Sequence, residues 1–305
     1  MKNIISSSEL SKEEVEKILE RAKEMEEHCK KGTVPHLLKN KIVACIFFEP
    51  STRTRLSFET ASIKLGAGVI SAENATVNSS SFKGETIEDT TRILSSYADI
   101  IVMRHPEAGS AKRAVSVSTK PIINAGDGAN EHPSQALLDL YTIKKEKGRL
   151  DNLIIAFGGD LVHSRTLHSL VPLLLQYPNN TFYFISPLEL ALPREYIEDL
   201  KEKGATIKEM SSLKDGLKEA DVLYMTRVQK ERFNSDDDYD KVKDLFILKT
   251  KDLEEMKKDV IIMHPLPKIN EIEKEIDDDP RAAYFRQAEN GLYIRMALLV
   301  DVLGL

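Results

Sequence analysis

The chain has 305 residues, of which 41% are hydrophobic and 30% charged, so length and composition predict about two globular domains and exclude a disordered chain. The 43 Lys and Arg residues against 49 Asp and Glu residues give a net charge of −6, which argues against nucleic-acid binding because that requires a basic surface. The two cysteines, Cys29 and Cys45, exclude a disulfide scaffold and a cysteine-based zinc cage.

No segment of the sequence has the pattern of a membrane-spanning helix. Apolar runs such as Ile100–Met103 and Leu298–Val300 fall far below the roughly 18 residues that such a helix needs. The first residues, MKNIISSSELSKEE, become acidic before an apolar signal-peptide region could form. We therefore expect a cytoplasmic protein without membrane association.

The first half of the chain alternates predicted helices with short apolar strands. Ser11 and Glu14 form a capping-box pattern that opens an amphipathic helix running to about Cys29. Further along, the pattern predicts strands at Ile42–Phe48, Asp99–Met103 and Pro121–Asn124, and helices at 56–65, at Ile87–Tyr97 and from about His132 to Gly148.

The second half repeats this alternation. Its apolar runs predict strands at Leu153–Phe157, Thr181–Ile185, Thr206–Lys208, Val222–Met225 and Val260–Met263, with helical segments between most of them. The pattern predicts an α/β fold with two doubly wound domains, each with a central parallel β-sheet flanked by helices. Because ligands of such sheets bind beyond the carboxyl ends of the strands, the functional residues should follow the strands directly.

The first polar cluster follows the strand Ile42–Phe48 and comprises Ser51, Thr52, Arg53, Thr54 and Arg55, with no acidic residue among them. A helix N-terminus attracts anions through its free N–H groups and dipole, and arginine adds bidentate recognition of phosphate. The cluster therefore predicts a site for a dianion. The alternative is that a hydroxyl group merely caps the helix while the arginines face solvent.

Further polar clusters follow other predicted strands. Arg104 comes after the second strand, and His132 and Gln135 come after the third, where His132 suits an oxyanion donor or a general base but also a structural role. In the second half the corresponding residues are Arg165 and Thr166, Arg227 and Gln229, and the run His264–Pro267. If the arginines converge, about four positive charges would attract a small polyanion despite the acidic chain.

Several common catalytic motifs are absent from the sequence. It contains no GxxxxGK[ST] loop, no complete GxGxxG and no HExxH. We therefore expect no nucleotide, no metal site and no cofactor. The remaining polar residues suit orientation of reactants and stabilisation of negative charge.

Seven segments taken together resemble the aspartate/ornithine carbamoyltransferase family over nearly the whole chain. They are FFEPSTRTRLSFETA (47–61), SSSFKGET (79–86), MRHP (103–106), GDGANEHPSQALLDLYTI (126–143), GDLVHSRTLHSL (159–170), LYMTRVQKER (223–232) and MHPLP (263–267). The last two are similar to the aspartate-specific branch, because an ornithine-specific relative would carry a cysteine where Pro265 stands.

The resemblance implies transfer of a carbamoyl group from carbamoyl phosphate to the α-amino group of L-aspartate, an early step of pyrimidine biosynthesis, without a cofactor. Two alternatives stay open. One is carbamoyl transfer to another amino acid such as ornithine, although a cationic acceptor would favour acidic rather than basic pocket residues. The other is a non-catalytic anion-binding subunit of the same fold, since a fold alone does not establish an activity.

The resemblance also implies roles for individual residues. The phosphate would bind Ser51, Thr52, Arg53 and Thr54, and Arg104 would bridge the phosphate and the carbonyl oxygen. His132 and Thr54 would polarise that carbonyl, so that the catalytic residues are Arg53, Thr54, Arg104 and His132. Gln135 and the Leu266-Pro267 segment, with Pro267 as a cis residue, would hold the carbamoyl amino group. The aspartate carboxylates would bind Arg165, Thr166, Arg227 and Gln229.

Ser79 and Lys83 resemble family residues that enter the active site of a neighbouring subunit, which implies a homotrimer with shared sites. Composition alone would make the same segment a flexible serine-rich loop. The basic pair Lys112-Arg113 is compatible with an interface toward a separate regulatory chain and equally with an ordinary solvated surface.

The family pattern further implies a carbamoyl-phosphate-binding domain formed by 1–133 with 290–305, and an aspartate-binding domain formed by 134–289. Glu49 would form salt bridges from the first domain to Arg165 and Arg232 in the second when both substrates are bound. These boundaries and ion pairs are expectations from the resemblance alone.

Overall fold

The computed structural model describes residues 2–74, 84–228, 235, 239 and 246–305. The chain divides into two compact units: the first comprises Met1–Tyr141, His168–Leu170 and Ala288–Leu305, and the second comprises Thr142–Leu167 and Val171–Gln287. This division differs from the predicted domain boundaries chiefly at 134–141, 168–170 and 288–289. The helices Pro133–Lys147, Arg165–Leu174 and Tyr284–Asp301 contribute residues to both units, and the two divisions differ within these helices.

The first unit contains a four-stranded parallel sheet in the order β2-β1-β3-β4. Its strands are β1 (Ile42–Phe47), β2 (Gly68–Glu73), β3 (Ile100–His105) and β4 (Ile122–Asp127). Its helices are Lys12–Lys31, Thr52–Lys64, Ile87–Tyr97 and Ser110–Val115, together with the parts of the shared helices that belong to it.

The second unit contains a five-stranded parallel sheet in the order β7-β6-β5-β8-β9. Its strands are β5 (Ile154–Gly158), β6 (Thr181–Ile185), β7 (Thr206–Met210), β8 (Val222–Met225) and β9 (Ile261–Met263). Its helices are Arg194–Glu202, Leu213–Leu217 and most of Arg165–Leu174, with 3-10 turns at Leu188–Leu190, Thr250–Glu254 and Lys274–Asp278.

The predicted α/β fold class is confirmed, because both units have a parallel sheet connected through helices. Strands such as β4 and β8 are buried along their whole length, which explains why they occur in the sequence as continuous apolar runs. The capping box of Ser11 and Glu14 is present at the start of the first helix. Among the described residues, none of the helices combines the length and the apolar character needed to cross a bilayer.

Two features of the first unit differ from the prediction. Strand β2 was not predicted, because its residues are half-buried or exposed at the edge of the sheet and lack a continuous apolar run. The helix expected at 56–65 begins four residues earlier, at Thr52. Thr52, Arg53, Thr54 and Arg55 therefore form the first helical turn instead of a preceding loop.

Each sheet has one point at which the strand order reverses. This switch point lies between β1 and β3 in the first unit and between β5 and β8 in the second. Crevices at the carboxyl ends of strands on either side of such a point are where doubly wound sheets bind ligands. The residues that follow β1, β3, β5 and β8 are therefore the first place to look for a site.

Candidate functional site

The segment after β1 presents an uncapped helix N-terminus. Within the described part of the chain the Ser51 side chain makes no capping hydrogen bond, and the first turn of helix Thr52–Lys64 contains no acidic residue. Thr54 is buried, whereas Thr52 and Arg53 are exposed. The Ser51 N–H donates to Glu73 Oε1 at 3.2 Å. Because the first turn itself carries no acidic residue, its remaining N–H groups and its dipole favour an anion.

The two arginines of this turn have different environments. Arg55 is engaged by two carboxylates: its Nη1 lies 2.9 Å from Oε1 of Glu59, and its Nη2 lies 3.3 Å from Oε2 of Glu73. Arg53, in contrast, forms no ion pair with any carboxylate of the described residues, and partial burial lowers the pKa of its guanidinium group. Arg55 therefore stabilises the helix, while Arg53 has its charge available for a ligand.

Arg104 lies near the end of β3, beside the strand that leads into this turn. It is in register with Phe47 of β1, and its carbonyl oxygen accepts a hydrogen bond from the Phe48 N–H at 2.8 Å. Its Nη2 lies 2.6 Å from Oε1 of Glu49. Glu49 thus neutralises part of the positive charge of Arg104, and an incoming anion would compete with it.

The loop after β4 is organised by the buried carboxylate of Asp127. Its Oδ2 accepts hydrogen bonds from the Gly109 N–H at 2.8 Å and from Asn130 Nδ2 at 3.1 Å. Its Oδ1 accepts from Asn124 Nδ2 at 3.0 Å and from the Glu131 N–H at 3.1 Å. Asp127 therefore fixes the loops after β3 and β4 together, a structural role that the sequence analysis did not assign.

His132 stands between this loop and helix Pro133–Lys147. It is 4% exposed; its backbone N–H donates to Ser169 Oγ at 2.9 Å, and its Nδ1 lies 3.4 Å from Ser134 Oγ. The preceding residue, Glu131, accepts hydrogen bonds at Oε2 from the Ser7 N–H at 2.7 Å and the Ser7 Oγ at 2.9 Å. The imidazole is therefore carried by a backbone that is anchored on both sides.

In the second unit, hydrogen bonds tie the ends of β5 and β8 together. Thr226 Oγ1 donates to the carbonyl oxygens of Gly158 at 3.2 Å and Asp160 at 3.1 Å. Gly159 has φ +114°, and a β-carbon there would lie 2.3 Å from the Thr226 carbonyl oxygen, so only glycine fits. This close approach places Arg165, the first residue of its helix, and Arg227 after neighbouring strand ends.

The segment after β9 is held by His264, which the sequence analysis did not identify as an organising residue. His264 is 1% exposed; its Nδ1 accepts a hydrogen bond from the Leu266 N–H at 2.8 Å, and its Nε2 lies 2.7 Å from Glu271 Oε1. Burial would raise the pKa of Glu271, but hydrogen bonds from His264 and backbone N–H groups lower it below its usual value. The Leu266-Pro267 peptide bond is cis, as the resemblance implied.

Most of the predicted site residues therefore lie at strand ends, divided between the units. The first unit contains Ser51, Thr52, Arg53, Thr54, Arg104, His132 and Gln135, and the second contains Arg165, Thr166, Arg227, Leu266 and Pro267. Ser79, Lys83, Gln229 and Arg232 lie outside the described residues. The first set is suited to a phosphate and a polarised carbonyl, and the second to carboxylates. Convergence of all four arginines on one ligand stays a prediction.

Comparison with known families finds a match in each half of the chain. The family model for "Aspartate/ornithine carbamoyltransferase, carbamoyl-P binding domain" matches residues 2–145. The model for "Aspartate/ornithine carbamoyltransferase, Asp/Orn binding domain" matches residues 151–302. The two models together cover nearly the entire sequence.

Individual relatives agree with these matches. The chain is 51% identical to the aspartate carbamoyltransferase catalytic subunit of Methanocaldococcus jannaschii over 98% of this chain and 97% of that protein. It is 49% identical to the multifunctional protein pyr1-3 of Dictyostelium discoideum, and there it spans 14% of the length of the relative.

Solved structures agree as well. The M. jannaschii catalytic subunit has a TM-score of 0.92 at 50% identity, covering 99% of this chain and 98% of that chain. The aspartate transcarbamoylase of Trypanosoma cruzi in complex with N-(phosphonacetyl)-L-aspartic acid has a TM-score of 0.92 at 39% identity, covering 98% and 95%.

Proposed function

Since this chain belongs to the aspartate/ornithine carbamoyltransferase family, we propose that its first unit binds carbamoyl phosphate and its second unit binds L-aspartate. The chain is a carbamoyl transferase whose products are N-carbamoyl-L-aspartate and phosphate. This reaction belongs to the synthesis of pyrimidines. The observation that carries the substrate assignment is that the arginines at both switch points, Arg53 and Arg104 in one unit and Arg165 and Arg227 in the other, are all retained.

The reaction develops negative charge at two places in turn, and the residues of the site can stabilise both. The amine of aspartate attacks the carbonyl carbon of carbamoyl phosphate, so that a C–N bond forms and the C–O bond to phosphate breaks. Negative charge grows first on the carbonyl oxygen, where Thr54, Arg104 and His132 act as donors. It then grows on the departing phosphate, which Arg53 and the N–H groups of the first helical turn bind.

The acceptor specificity follows from the charge of the second unit. L-Aspartate carries two carboxylates, which Arg165 and Arg227 bind together with Thr166 and Gln229. Ornithine presents an additional cation, which these arginines would repel. A non-catalytic anion-binding subunit is disfavoured, because His132 and every arginine of the set are present.

The direct test is carbamoylation with the purified chain. With carbamoyl phosphate as donor, aspartate should be carbamoylated at least about a hundredfold faster than ornithine at equal concentration, because a pocket that pairs both carboxylates rejects an acceptor lacking one of them. The measurement is the rate of formation of each carbamoyl amino acid. Preference for ornithine, or phosphate release without carbamoyl transfer, would contradict the assignment.

Replacing Glu49 with glutamine should change the KM for aspartate without weakening the binding of carbamoyl phosphate. The change removes the carboxylate that lies 2.6 Å from Arg104, so inorganic phosphate and carbamoyl phosphate should bind as tightly as before or up to about threefold tighter. The KM for aspartate should rise, since the resemblance assigns Glu49 salt bridges with the aspartate domain. Initial rates at varied concentrations of each substrate measure both effects. An unchanged KM for aspartate would exclude this role of Glu49.

We further infer that the chain functions as a cytoplasmic homotrimer in which Ser79 and Lys83 complete the site of a neighbouring subunit. Support comes from the resemblance of the segment 79–86, of which residues 79–83 lie outside the described residues. Association with a separate regulatory chain stays a prediction; of the basic pair Lys112-Arg113, Arg113 forms ion pairs within the chain with Glu88 at 2.8 Å and Glu107 at 3.0 Å.

Mixing two inactive variants tests the shared site. If Lys83→Ala and Arg53→Ala subunits are dissociated, mixed in equal amounts and reassembled, about a quarter of the sites should combine intact residues from two subunits and recover activity. Reassembly of each variant alone is the control and should stay inactive. No recovery in mixed trimers of confirmed composition would place Lys83 and Arg53 in the site of one subunit.

A further inference from the structure

A buried polar cluster lies beneath the start of helix Pro133–Lys147, one turn below the candidate site. Gln135 and Asp139 are four residues apart on this helix, and Gln135 Nε2 donates a hydrogen bond to Asp139 Oδ1 at 2.9 Å. Gln135 is 9% exposed, and Asp139 is completely buried. The side chain expected to bind the carbamoyl amino group is therefore itself bound by a carboxylate.

Arg295, on helix Tyr284–Asp301, is a buried cation whose charge interacts electrostatically with that of Asp139. Its guanidinium group is buried and lies 5.2 Å from the centre of the Phe58 ring. A β-carbon at Gly291 would lie 2.4 Å from its Nη1, so glycine provides the room for this side chain. Burial lowers the pKa of Arg295 to about 9, with Asp139 raising it and the nearby Arg53 lowering it, so Arg295 remains a cation at neutral pH.

Two opposite charges buried in one region of the fold, like Asp139 and Arg295, are weak evidence for a role in stability. Removing two charges from water is unfavourable, and apolar replacements of the pair are often neutral or stabilising. Here Arg295 Nε has no hydrogen-bond partner among the described residues, which adds to the unfavourable desolvation. A buried carboxylate that stabilises little and contacts a substrate-binding side chain, as Asp139 contacts Gln135, calls for a functional explanation.

The explanation lies in the orientation of the Gln135 side-chain amide. A carboxylate only accepts hydrogen bonds, so the NH₂ group of Gln135 must face Asp139, and its Oε1 must point elsewhere as an acceptor. We propose that Asp139, with its charge balanced by Arg295, fixes the Gln135 amide so that Oε1 accepts a hydrogen bond from the amino group of carbamoyl phosphate. Asp139 and Arg295 are thus positioning residues that select a carbamoyl donor, an assignment that rests on the proposed function.

Selection has a definite chemical meaning here. Acetyl phosphate carries the same phosphate and carbonyl groups but has a methyl group in place of the amino group. When acetyl phosphate is bound, the fixed Oε1 of Gln135 has no hydrogen-bond donor opposite it, and the affinity for acetyl phosphate is therefore lower. If residue 139 were an amide instead of a carboxylate, the Gln135 amide could rotate by 180° and the preference for the amino group would weaken.

The first measurement uses the unmodified chain. Acetyl phosphate should compete with carbamoyl phosphate but bind at least about tenfold more weakly, because one hydrogen bond to the amino group is lost and a buried acceptor is left unpaired. Inorganic phosphate serves as the reference for binding of the phosphate group alone. Equal affinity for the two acyl phosphates would overturn the proposal without requiring any variant to fold.

The second measurement uses the double variant Asp139→Asn with Arg295→Met, which removes both charges and leaves no unpaired buried cation. The ratio of affinities for carbamoyl phosphate and acetyl phosphate should fall about tenfold, while inorganic phosphate binds within about twofold of the original affinity. The matched control is Glu146→Gln with Arg286→Met, which removes a paired charge of the same kind from the same helix, with Arg286 Nε 2.7 Å from Glu146 Oε1. The control should leave the ratio unchanged.

The outcomes distinguish this inference from the proposed function. If the unmodified chain does not carbamoylate aspartate, the proposed function itself fails. If it does, but the affinity ratio is the same in the double variant as in the control, only the role of Asp139 and Arg295 is refuted. Equal weakening of carbamoyl phosphate, acetyl phosphate and phosphate would identify the pair as merely structural and would also refute the proposal.

Discussion

Replacing Arg53 with alanine should lower kcat/KM for carbamoyl phosphate by about a thousandfold or more, because the departing phosphate loses its principal cationic partner. Arg53 lies in the first turn of helix Thr52–Lys64 and forms no ion pair with a carboxylate of the described residues. Removing its charge therefore breaks no ion pair with a carboxylate of these residues. The dissociation constant of inorganic phosphate, measured by product inhibition, should rise together with the loss of turnover.

Two companion variants define the cause of this effect. Arg53→Lys keeps the charge but loses bidentate geometry, so its activity should fall between that of the alanine variant and the unmodified chain. Arg55→Ala removes the same charge two residues away, where the guanidinium group is engaged by Glu59 and Glu73, and it should retain most of the activity. If Arg55→Ala lost as much activity as Arg53→Ala, the effect would reflect damage to the helix.

Stability provides a second readout of the Arg53 variant. Arg53 is exposed, and its positive charge acts unfavourably on the buried Arg295. Removing it should therefore leave the free energy of unfolding unchanged or slightly higher, measured by chemical denaturation. A large loss of stability would show that Arg53 supports the fold, and near-normal turnover would refute its assignment to the phosphate.

The sequence predicted well those features that depend on local pattern. The apolar runs that became β6 and β8 were placed with their observed boundaries, because buried parallel strands consist of continuous apolar residues. Arg104 could be selected as a site residue because it lies near the end of such a strand, and Arg165 because it begins the helix that follows one. Strand β2 was missed because its half-exposed edge position requires no apolar run.

Features that depend on distant partners could not be predicted. Asp127 and Asp139 are acidic residues in a recognised motif. Nothing in the local sequence indicates that four hydrogen-bond donors surround the Asp127 carboxylate. The electrostatic interaction of Asp139 with Arg295, more than 150 positions away, is equally invisible in the sequence. His264 likewise looks like a ligand residue until Leu266 and Glu271 are found on its two nitrogens. Because these side chains are buried and hydrogen-bonded within the chain, we interpret them as supports of the site and not as catalysts.

Replacing His132 with alanine should lower kcat by about a hundredfold to a thousandfold, while the KM for carbamoyl phosphate changes by less than about threefold. The carbonyl oxygen gains charge only in the transition state, so a donor aimed at it contributes little to the binding of the substrate. Ser134 Oγ lies 3.4 Å from Nδ1 of His132. With the hydroxyl as donor the imidazole hydrogen is on Nε2, and Nε2–H is the group that we assign to the carbonyl oxygen.

Recovery by a conservative variant decides whether this hydrogen bond is the cause. His132→Gln keeps an N–H donor at nearly the reach of Nε2 and should be about tenfold more active than His132→Ala, because one preorganised donor contributes roughly 3 kcal/mol and an imperfect one a part of it. The backbone N–H of His132 still donates to Ser169 in both variants, so the loop should keep its anchor. Equal activity of the two variants, or parallel losses in kcat and in phosphate binding, would mean that His132 supports the loop and does not polarise the carbonyl.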